Sequence, residues 1–237
     1  MRGRTTKEPQ NQEQIDAYQA RGPVRLGPWS SHLWRTDPKH LGFTLSRYKF
    51  CARMLAGKRD VLEVGCGDGL GMMVVLETVA SVHGCDFEPL VIEDARARLS
   101  AEGVKGCSLS VLDFTRKTLE RSFDAAYSLD VIEHIPPALE DVFMDNLCRC
   151  LRPHAVCILG TPNREARRHA SPASQAGHVN LKDAASLSHL LAERFHNVFL
   201  FSMNDEVVHT GFYPMAHYLL GVAAGVKGQQ KGGDPHR

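Results

Sequence analysis

Short apolar runs and helical apolar patterns alternate along most of the chain. Residues 61–64 form an apolar run that predicts a buried strand, and from residue 70 the apolar positions recur at helical spacing. The pattern predicts strands at residues 61–64, 81–87, 107–113, 123–130, 155–160 and 197–203, with 207–209 as a candidate seventh strand. It predicts helices at residues 41–55 and 70–79, from after residue 87 to about residue 101, and at residues 136–151 and 182–195. Repeated strand–helix units of this length predict an α/β fold with a doubly wound, mostly parallel seven-stranded sheet.

The pattern is weaker at both ends of the chain. Residues 1–40 are predicted to form a flexible arm with a short helix near residues 15–18, because prolines and glycines within 21–40 exclude a long helix. Both tryptophans, Trp29 and Trp34, lie here, so the arm is either an irregular segment packed by them or a lid over a ligand cleft. Residues 41–226 form the predicted domain.

Two segments close the chain. The apolar residues 212–226 predict a terminal core helix or hairpin, with a substrate-facing or membrane-surface helix as the alternative. The glycine-rich residues 227–237 predict a disordered tail.

The composition restricts the class of protein. The 237 residues are enough for one α/β domain with additions, and a formal net charge of +1 gives no reason to expect a DNA or anionic-membrane partner. Seven cysteines without a paired C-x-x-C motif favour free thiols in a reducing compartment. The polar N-terminus lacks the apolar core of a secretion signal, and no apolar run reaches about 18 residues. Together these features predict a cytoplasmic protein without a transmembrane span.

A glycine-rich turn follows the first predicted strand. Gly65, Gly67 and Gly69 alternate there, and such a turn lets the backbone come close to a ligand that a side chain would exclude. The spacing differs from the G-x-G-x-x-G dinucleotide fingerprint, and no Gly-Lys-Ser/Thr follows, which excludes a phosphate loop.

Acidic residues end the next predicted strands. Asp86 ends strand two, about 20 residues after the glycines, where an acid can accept both hydroxyls of a ribose. Asp113 ends strand three, where it can accept an exocyclic amine while Phe114 packs on the ring. Asp130 ends strand four. Each acid alone could be a helix cap, but three at successive strand ends indicate a nucleotide-like ligand.

Over roughly residues 43–203, the chain resembles the class I S-adenosylmethionine-dependent methyltransferases. The resemblance rests on four features taken together: Val-Leu-Glu-Val-Gly-Cys-Gly-Asp-Gly, Asp86, Asp113-Phe114 and Asp-Val-Ile-Glu-His-Ile-Pro. The resemblance implies their Rossmann-like fold and S-adenosylmethionine as cofactor. It implies that residues 63–69 hold the methionine part, Asp86 the ribose and Asp113 the adenine, with Ser128 or Leu129 beside the methionine part. Arg47 or Tyr48 could meet the methionine carboxylate. The predicted cofactor residues are Glu63, Gly65, Cys66, Gly67, Gly69, Asp86, Phe87, Asp113, Phe114, Asp130 and Arg47.

The predicted catalytic residues are His134, Glu133 and His178. His134 has a suitable pKa range for a general base, although a histidine in this turn could equally be structural. Strand four does not end in Asn/Asp-Pro-Pro-Tyr/Phe, the signature of adenine and glutamine N-methyltransferases. No Pro-Cys follows it, as methylation of a base at C5 would require. An oxygen acceptor is therefore favoured. The arginines 164, 167 and 168 could hold a phosphate or carboxylate of the acceptor, or form a solvated loop.

A divalent metal ion is a further possibility. Asp130, Glu133 and His134 stand at positions i, i+3 and i+4, close together if the turn is helical. With His178 they are similar to the set that holds a metal ion in the small-RNA 3′-terminal 2′-O-methyltransferases. The chain departs from that family, because Asp130 stands where it carries Glu and no basic RNA-binding stretch is present.

Residues 203–213 loosely resemble bacterial methyltransferases associated with cell-surface glycans. The expected function is therefore O-methylation of a sugar, nucleotide-sugar or glycan intermediate. The alternatives are a small aromatic or quinone-type acceptor, an RNA 3′ end, or a catalytically silent scaffold or sensor that binds the cofactor.

Overall fold

A computed structural model of the chain describes residues 5–228. Most of the predicted disordered tail, residues 229–237, lies outside the described residues. The described part contains one sheet of eight strands: β1 Asp60–Val64, β2 Ser81–Asp86, β3 Cys107–Val111, β4 Phe123–Leu129, β5 Leu151–Pro162, β6 Phe195–Asn204, β7 Val207–His209 and β8 Tyr218–Val226.

The strand order is β3-β2-β1-β4-β5-β8-β6-β7. The pairs among β1 to β5 are parallel, whereas β8 is antiparallel to both β5 and β6, and β7 is antiparallel to β6. The order reverses at β1 and β4, and ligands of open parallel sheets bind beside such a reversal, at the carboxyl ends of the strands.

The prediction of seven strands was wrong, because residues 218–226 form an additional strand, β8, inside the sheet, where a terminal core helix or hairpin was predicted. The short β7 at the sheet edge coincides with the candidate seventh strand at residues 207–209. A short apolar run is compatible with a buried strand and with a buried helix, so the segments packed against it determine which one forms. Here β8 pairs along its length with β5 and β6. Gly221 has no space for a Cβ because Leu191 packs directly on it.

Eight α-helices are present among the described residues: α1 Gln12–Arg21, α2 Pro28–Thr36, α3 Pro38–Met54, α4 Leu70–Leu76, α5 Pro89–Ala101, α6 Glu140–Arg149, α7 Pro172–Gly177 and α8 Ala184–Ala192. They cover the two faces of the sheet and bury one apolar cluster on each. Phe143 and Leu147 of α6 and Leu187 of α8 belong to one cluster. Cys51 of α3 and Met72 of α4 belong to the other.

The N-terminal arm is more regular than its prolines and glycines suggested. Pro28 and Pro38 stand at the first turns of α2 and α3, where a missing N–H costs no hydrogen bond. The prolines therefore start helices here instead of breaking one. Trp29 and Trp34 both lie on α2, and each side chain is at least half exposed, so the predicted irregular arm packed by its tryptophans was wrong.

All seven cysteines are free thiols, and five of them are buried in the core. Within residues 5–228, no helix combines the length and the apolar character needed to cross a lipid bilayer.

Candidate functional site

A cavity of about 1040 Å³ lies at the carboxyl ends of β1, β2, β3 and β4. Its walls carry the glycine turn after β1, the acids that end β2, β3 and β4, and His134 in the segment after β4. Helices α2 and α3 close another side with Trp29 and Tyr48. The topology thus brings together residues that are far apart in sequence.

The glycine turn is left-handed at each of its three alternating glycines. Gly65, Gly67 and Gly69 have φ values of 78°, 53° and 75°, which other L-residues adopt only with strain. A Cβ on Gly65 would collide with Val131, and a Cβ on Gly67 would lie 2.8 Å from two ring carbons of Trp29. These glycines therefore admit neighbours from the chain itself, and Gly67 forms part of the cavity wall.

Glu63 lies beneath this turn and outside the cavity lining. Its side chain is buried, and the Tyr127 hydroxyl donates to its Oε2 at 2.7 Å. Burial raises the pKa of Glu63 to about 8.

Asp86 connects the turn to the end of β2. Its Oδ2 accepts a hydrogen bond from the Gly67 N–H at 3.0 Å, and its Oδ1 accepts one from the Glu88 N–H at 3.0 Å. Each carboxylate oxygen keeps a second lone pair, which leaves it able to accept from a ribose hydroxyl. Phe87 follows with an exposed ring at the cavity.

Asp113 and Phe114 form the wall beyond β3. The Asp113 Oδ1 accepts from the Thr115 N–H at 2.9 Å and from the Thr115 hydroxyl at 2.6 Å, and its Oδ2 lies 3.2 Å from the Arg116 Nε. Phe114 is buried and packs edge-on against Phe143, with ring centroids 6.4 Å apart. Both residues line the cavity.

Asp130 lies at the tip of β4 with a φ of 57°. Its two carboxylate oxygens accept hydrogen bonds of 2.8 and 2.6 Å from Nη1 of Arg47, whose guanidinium also stacks 3.8 Å from the ring centroid of Tyr218. The buried Arg47 lies outside the cavity lining, whereas Asp130 and Tyr48 line it. The structure thus pairs two of the predicted cofactor residues with each other.

His134, Glu133 and His178 meet next to this pair. The imidazole rings are 5.0 Å apart, and ligand atoms from all three residues lie within 4.8 Å of one another. The Glu133 carbonyl accepts hydrogen bonds from the Val179 and Asn180 N–H groups, which holds the His178 segment against the turn. Only His134 of the three lines the cavity.

The two histidines differ in environment. The His134 Nδ1 lies 3.1 Å from the Gly177 carbonyl oxygen, which can only accept, so Nδ1 carries the proton and Nε2 is free. Burial and the neighbouring His134 lower the pKa of His178. Burial, followed by the charge of Asp130, raises the pKa of Glu133 to about 8.

Glu133 is held by one side-chain hydrogen bond. The Thr161 hydroxyl donates to Oε2 at 3.1 Å, while the buried Oε1 has no hydrogen-bond partner within residues 5–228. Asp130 is outside the three-residue group because it faces Arg47. The structure therefore brings together three of the four residues of the predicted metal set.

Comparison with known proteins shows which proteins this chain is similar to. Residues 61–154 match the methyltransferase domain family. A probable S-adenosylmethionine-dependent methyltransferase of Mycolicibacterium smegmatis is 32% identical over 117 residues, which are 49% of this chain and 43% of that protein. Residues 61–154 therefore carry a methyltransferase domain, and the chain is similar to the class I S-adenosylmethionine-dependent methyltransferases.

Two further relatives extend the comparison of this methyltransferase. A ubiquinone biosynthesis O-methyltransferase of Rhizobium etli is 30% identical over 153 residues, covering 58% of this chain and 57% of that protein. The crystal structure of the N-methyltransferase NodS from Bradyrhizobium japonicum in complex with S-adenosyl-L-homocysteine superposes with a TM-score of 0.59 at 16% identity, over 88% of this chain and 97% of that one. The chain spans about half the length of the curated relatives it matches.

S-adenosylmethionine is the cofactor of this methyltransferase. The cavity fits it, because carboxylates follow β2 and β3 along one wall, where they can accept from ribose hydroxyls and an adenine amine, and the left-handed turn after β1 forms the neighbouring wall. A single ligand pocket measures about 300–1,000 Å³. The cavity of about 1040 Å³ lies at the upper end of that range.

The structure does not bring the predicted basic loop to the cavity of the methyltransferase. Residues 164–169 form a 3₁₀ helix, and Arg164 is paired with Asp183 at the start of α8. Arg164, Arg167 and Arg168 lie outside the cavity lining.

One contact at this site, between Asp68 and Ser30, was missed by sequence reasoning. Asp68, between two glycines of the turn, is buried and accepts hydrogen bonds from Ser30 on α2. A buried carboxylate needs a hydrogen-bond partner, so an aspartate within a buried turn could have indicated a contact with another segment of the chain.

Proposed function

We propose that this protein transfers a methyl group from S-adenosylmethionine to a hydroxyl oxygen of a small acceptor. The cofactor supplies an electrophilic methyl group. The observation that carries the proposal is the position of His134, which lines the same cavity as Asp130 and has a free Nε2. A hydroxyl placed between them would give its proton to His134 as its oxygen attacks the methyl carbon, whose bond to the sulfonium sulfur would break to leave S-adenosylhomocysteine.

The residue assignments made from the sequence remain part of this proposal. The turn at residues 65–69 would hold the methionine part, Asp86 the ribose and Asp113 the adenine amine, with Phe87 and Phe114 flanking the ring. Glu63 supports the turn from below instead of touching the cofactor, because it lies outside the cavity lining. Residues 41–226 would be the catalytic domain, and residues 1–40 an arm that covers its cleft.

We favour an acceptor with an aromatic or otherwise apolar body. The part of the wall away from the strand-end acids carries Leu33, Leu41, Ile135 and Leu139, which offer few hydrogen bonds to a sugar. The ubiquinone biosynthesis O-methyltransferase among the relatives supports the same choice. The sugar acceptor predicted from the sequence stays a prediction, and the distance of the basic loop from the cavity gives no support to an RNA end.

Transfer of a labelled methyl group tests the proposal. We expect label to reach phenols, catechols or quinols in preference to a matched panel of sugars and nucleotide sugars. His134→Ala should lower kcat by about 10²- to 10⁴-fold, the usual contribution of a general base, with little change in affinity for S-adenosylhomocysteine. His196→Ala, at an exposed position on β6, is the matched control and should retain activity.

Two results would oppose this proposal. Label that enters only the sugar panel would restore the glycan prediction. Tight cofactor binding without transfer to any fraction of a cell extract would favour the silent scaffold.

A second candidate uses a divalent ion held by Glu133, His134 and His178. Two ligand atoms that each lie about 2.1 Å from one metal ion are at most about 4.2 Å apart. The ligand atoms of the three residues lie within 4.8 Å of one another, so they would need to move only slightly closer to bind one ion. An ion there would lower the pKa of an acceptor hydroxyl. His134 would then be a ligand instead of a base.

A strong chelator separates the two candidates. The base mechanism predicts an unchanged rate after chelation and dialysis. Loss of activity that Mg²⁺ or Mn²⁺ restores in the wild type, and fails to restore in His178→Ala, would favour the ion. The affinity for S-adenosylhomocysteine, measured in parallel, shows whether the chelated protein is still folded.

A further inference from the structure

Helix α2 packs directly on the glycine turn. The ring of Trp29 lies against Gly67, where two of its carbons would be 2.8 Å from an added Cβ. Half of the Trp29 surface is exposed, and the ring lines the cavity. A large apolar surface of this kind is left open toward the space that the cofactor needs.

Asp68 fixes the start of α2 in this position. Its Oδ2 accepts from the Ser30 N–H at 2.8 Å, and its Oδ1 accepts from the Ser30 hydroxyl at 2.9 Å. A Cβ on Gly27 would collide with the Asp68 side chain, so the two segments are in close contact. The Asp68 carbonyl accepts a hydrogen bond of 2.5 Å from Nη2 of Arg98 on α5.

We propose that Trp29 is a cofactor-binding residue and that Asp68 and Ser30 are positioning residues that hold it there. The contact belongs to the cofactor half of the cavity, because the N–H of Gly67 donates to Asp86, the ribose candidate. The cavity of about 1040 Å³ exists with Trp29 in place, so its ring is a wall of the site and does not fill it. A bound cofactor would cover the exposed indole face.

This inference rests on the cofactor and is independent of the acceptor. The Ser30–Asp68 hydrogen bonds hold Trp29 against the turn, so the Ser30 hydroxyl contributes to the affinity and the residence time of the cofactor through Trp29.

Fluorescence of Trp29 tests the contact. Trp34→Phe leaves Trp29 as the single tryptophan of the chain. We expect S-adenosylhomocysteine to change its emission in a saturable way, with the same Kd as calorimetry gives for the wild type. Trp29→Phe, which keeps only Trp34, is the matched control and should show little change at the same ligand concentrations.

Affinity measurements test the energetic role. Trp29→Ala should weaken binding of S-adenosylhomocysteine by about tenfold or more, because stacking on an aromatic ring typically increases affinity by about that factor. Trp29→Phe should weaken it by less, because it keeps an aromatic ring. Ser30→Ala should weaken it by about three- to tenfold and speed dissociation, since a hydrogen bond to a carboxylate is lost while the backbone one remains. Ser31→Ala, whose hydroxyl bonds instead to the Leu26 carbonyl, should bind as the wild type does.

The outcomes are distinct. Tighter binding by Trp29→Ala would mean that the ring occupies the cofactor position, and unchanged binding with silent fluorescence would mean that it does not touch the cofactor; either overturns the proposal. Absence of binding to the wild-type chain would overturn the cofactor assignment with it. Circular dichroism of each variant without ligand identifies any variant that loses α2 itself. If one does, the fluorescence titration of Trp34→Phe decides whether Trp29 contacts the cofactor.

Discussion

Replacing Arg47 by methionine is expected to lower the free energy of unfolding by about 3 kcal/mol, the lower end of the range for breaking a buried ion pair. The guanidinium is buried on α3 and donates to both oxygens of Asp130 at 2.8 and 2.6 Å. Methionine keeps most of the side-chain volume but leaves the carboxylate without its partner. The Asp130 side chain is 35% exposed, so water compensates part of the loss. Urea unfolding at pH 7 measures the change.

The double variant Arg47→Met/Asp130→Asn identifies the cause of that loss. Asparagine tolerates the left-handed φ of 57° as well as aspartate does, so the tip of β4 should keep its shape. If the unpaired charge dominates, the second substitution recovers most of the stability. A double variant as unstable as the single one would instead attribute the loss to the stacking of Arg47 on Tyr218, whose ring centroid is 3.8 Å away.

The cofactor wall could be predicted from the sequence because it follows from local rules. Strands of a parallel sheet place their carboxyl ends at one edge, so an acid after each strand is brought to that edge without knowledge of any contact. Asp86, Asp113 and Asp130 all line the cavity as a result. The alternating glycines predicted a turn after the first strand, and the structure adds that all three occupy the left-handed region.

Contacts between distant segments could not be predicted in the same way. Arg47 was predicted as a candidate partner of the methionine carboxylate, but its Nη1 donates to both carboxylate oxygens of Asp130, 83 positions away. Residues 218–226 form a strand because they pair with β5 on one side and β6 on the other. Ser30 and Asp68 are 38 positions apart, and no periodicity in the sequence links them. Partner choice depends on tertiary packing, which local patterns do not encode.

Stability should fall as the pH rises from about 5 to about 8, and Glu63→Gln should reduce that fall. Glu63 is buried beneath the glycine turn, and burial raises its pKa from the ordinary value of 4.5 to about 8. Between these values the folded protein holds a proton that the unfolded chain releases, so each step up in pH favours unfolding. Below about pH 4.5 the carboxyl is protonated in both states, and above about pH 8 it is ionised in both, so its effect is confined to this window. The full effect is on the order of 5 kcal/mol.

Urea unfolding of both proteins at several pH values between 5 and 9 measures the difference in slope. Glutamine keeps the oxygen that accepts from the Tyr127 hydroxyl, and it cannot ionise. The Glu133 carboxyl, with a pKa of about 8, contributes the same fall to both proteins and cancels in the comparison. Glu120→Gln, at an exposed position, is the matched control and should run parallel to the wild type. Equal slopes for wild type and Glu63→Gln would mean that Glu63 is ionised in the folded protein at neutral pH. The turn that carries Gly65 and Gly67 would then rest on a buried negative charge instead of a neutral acid.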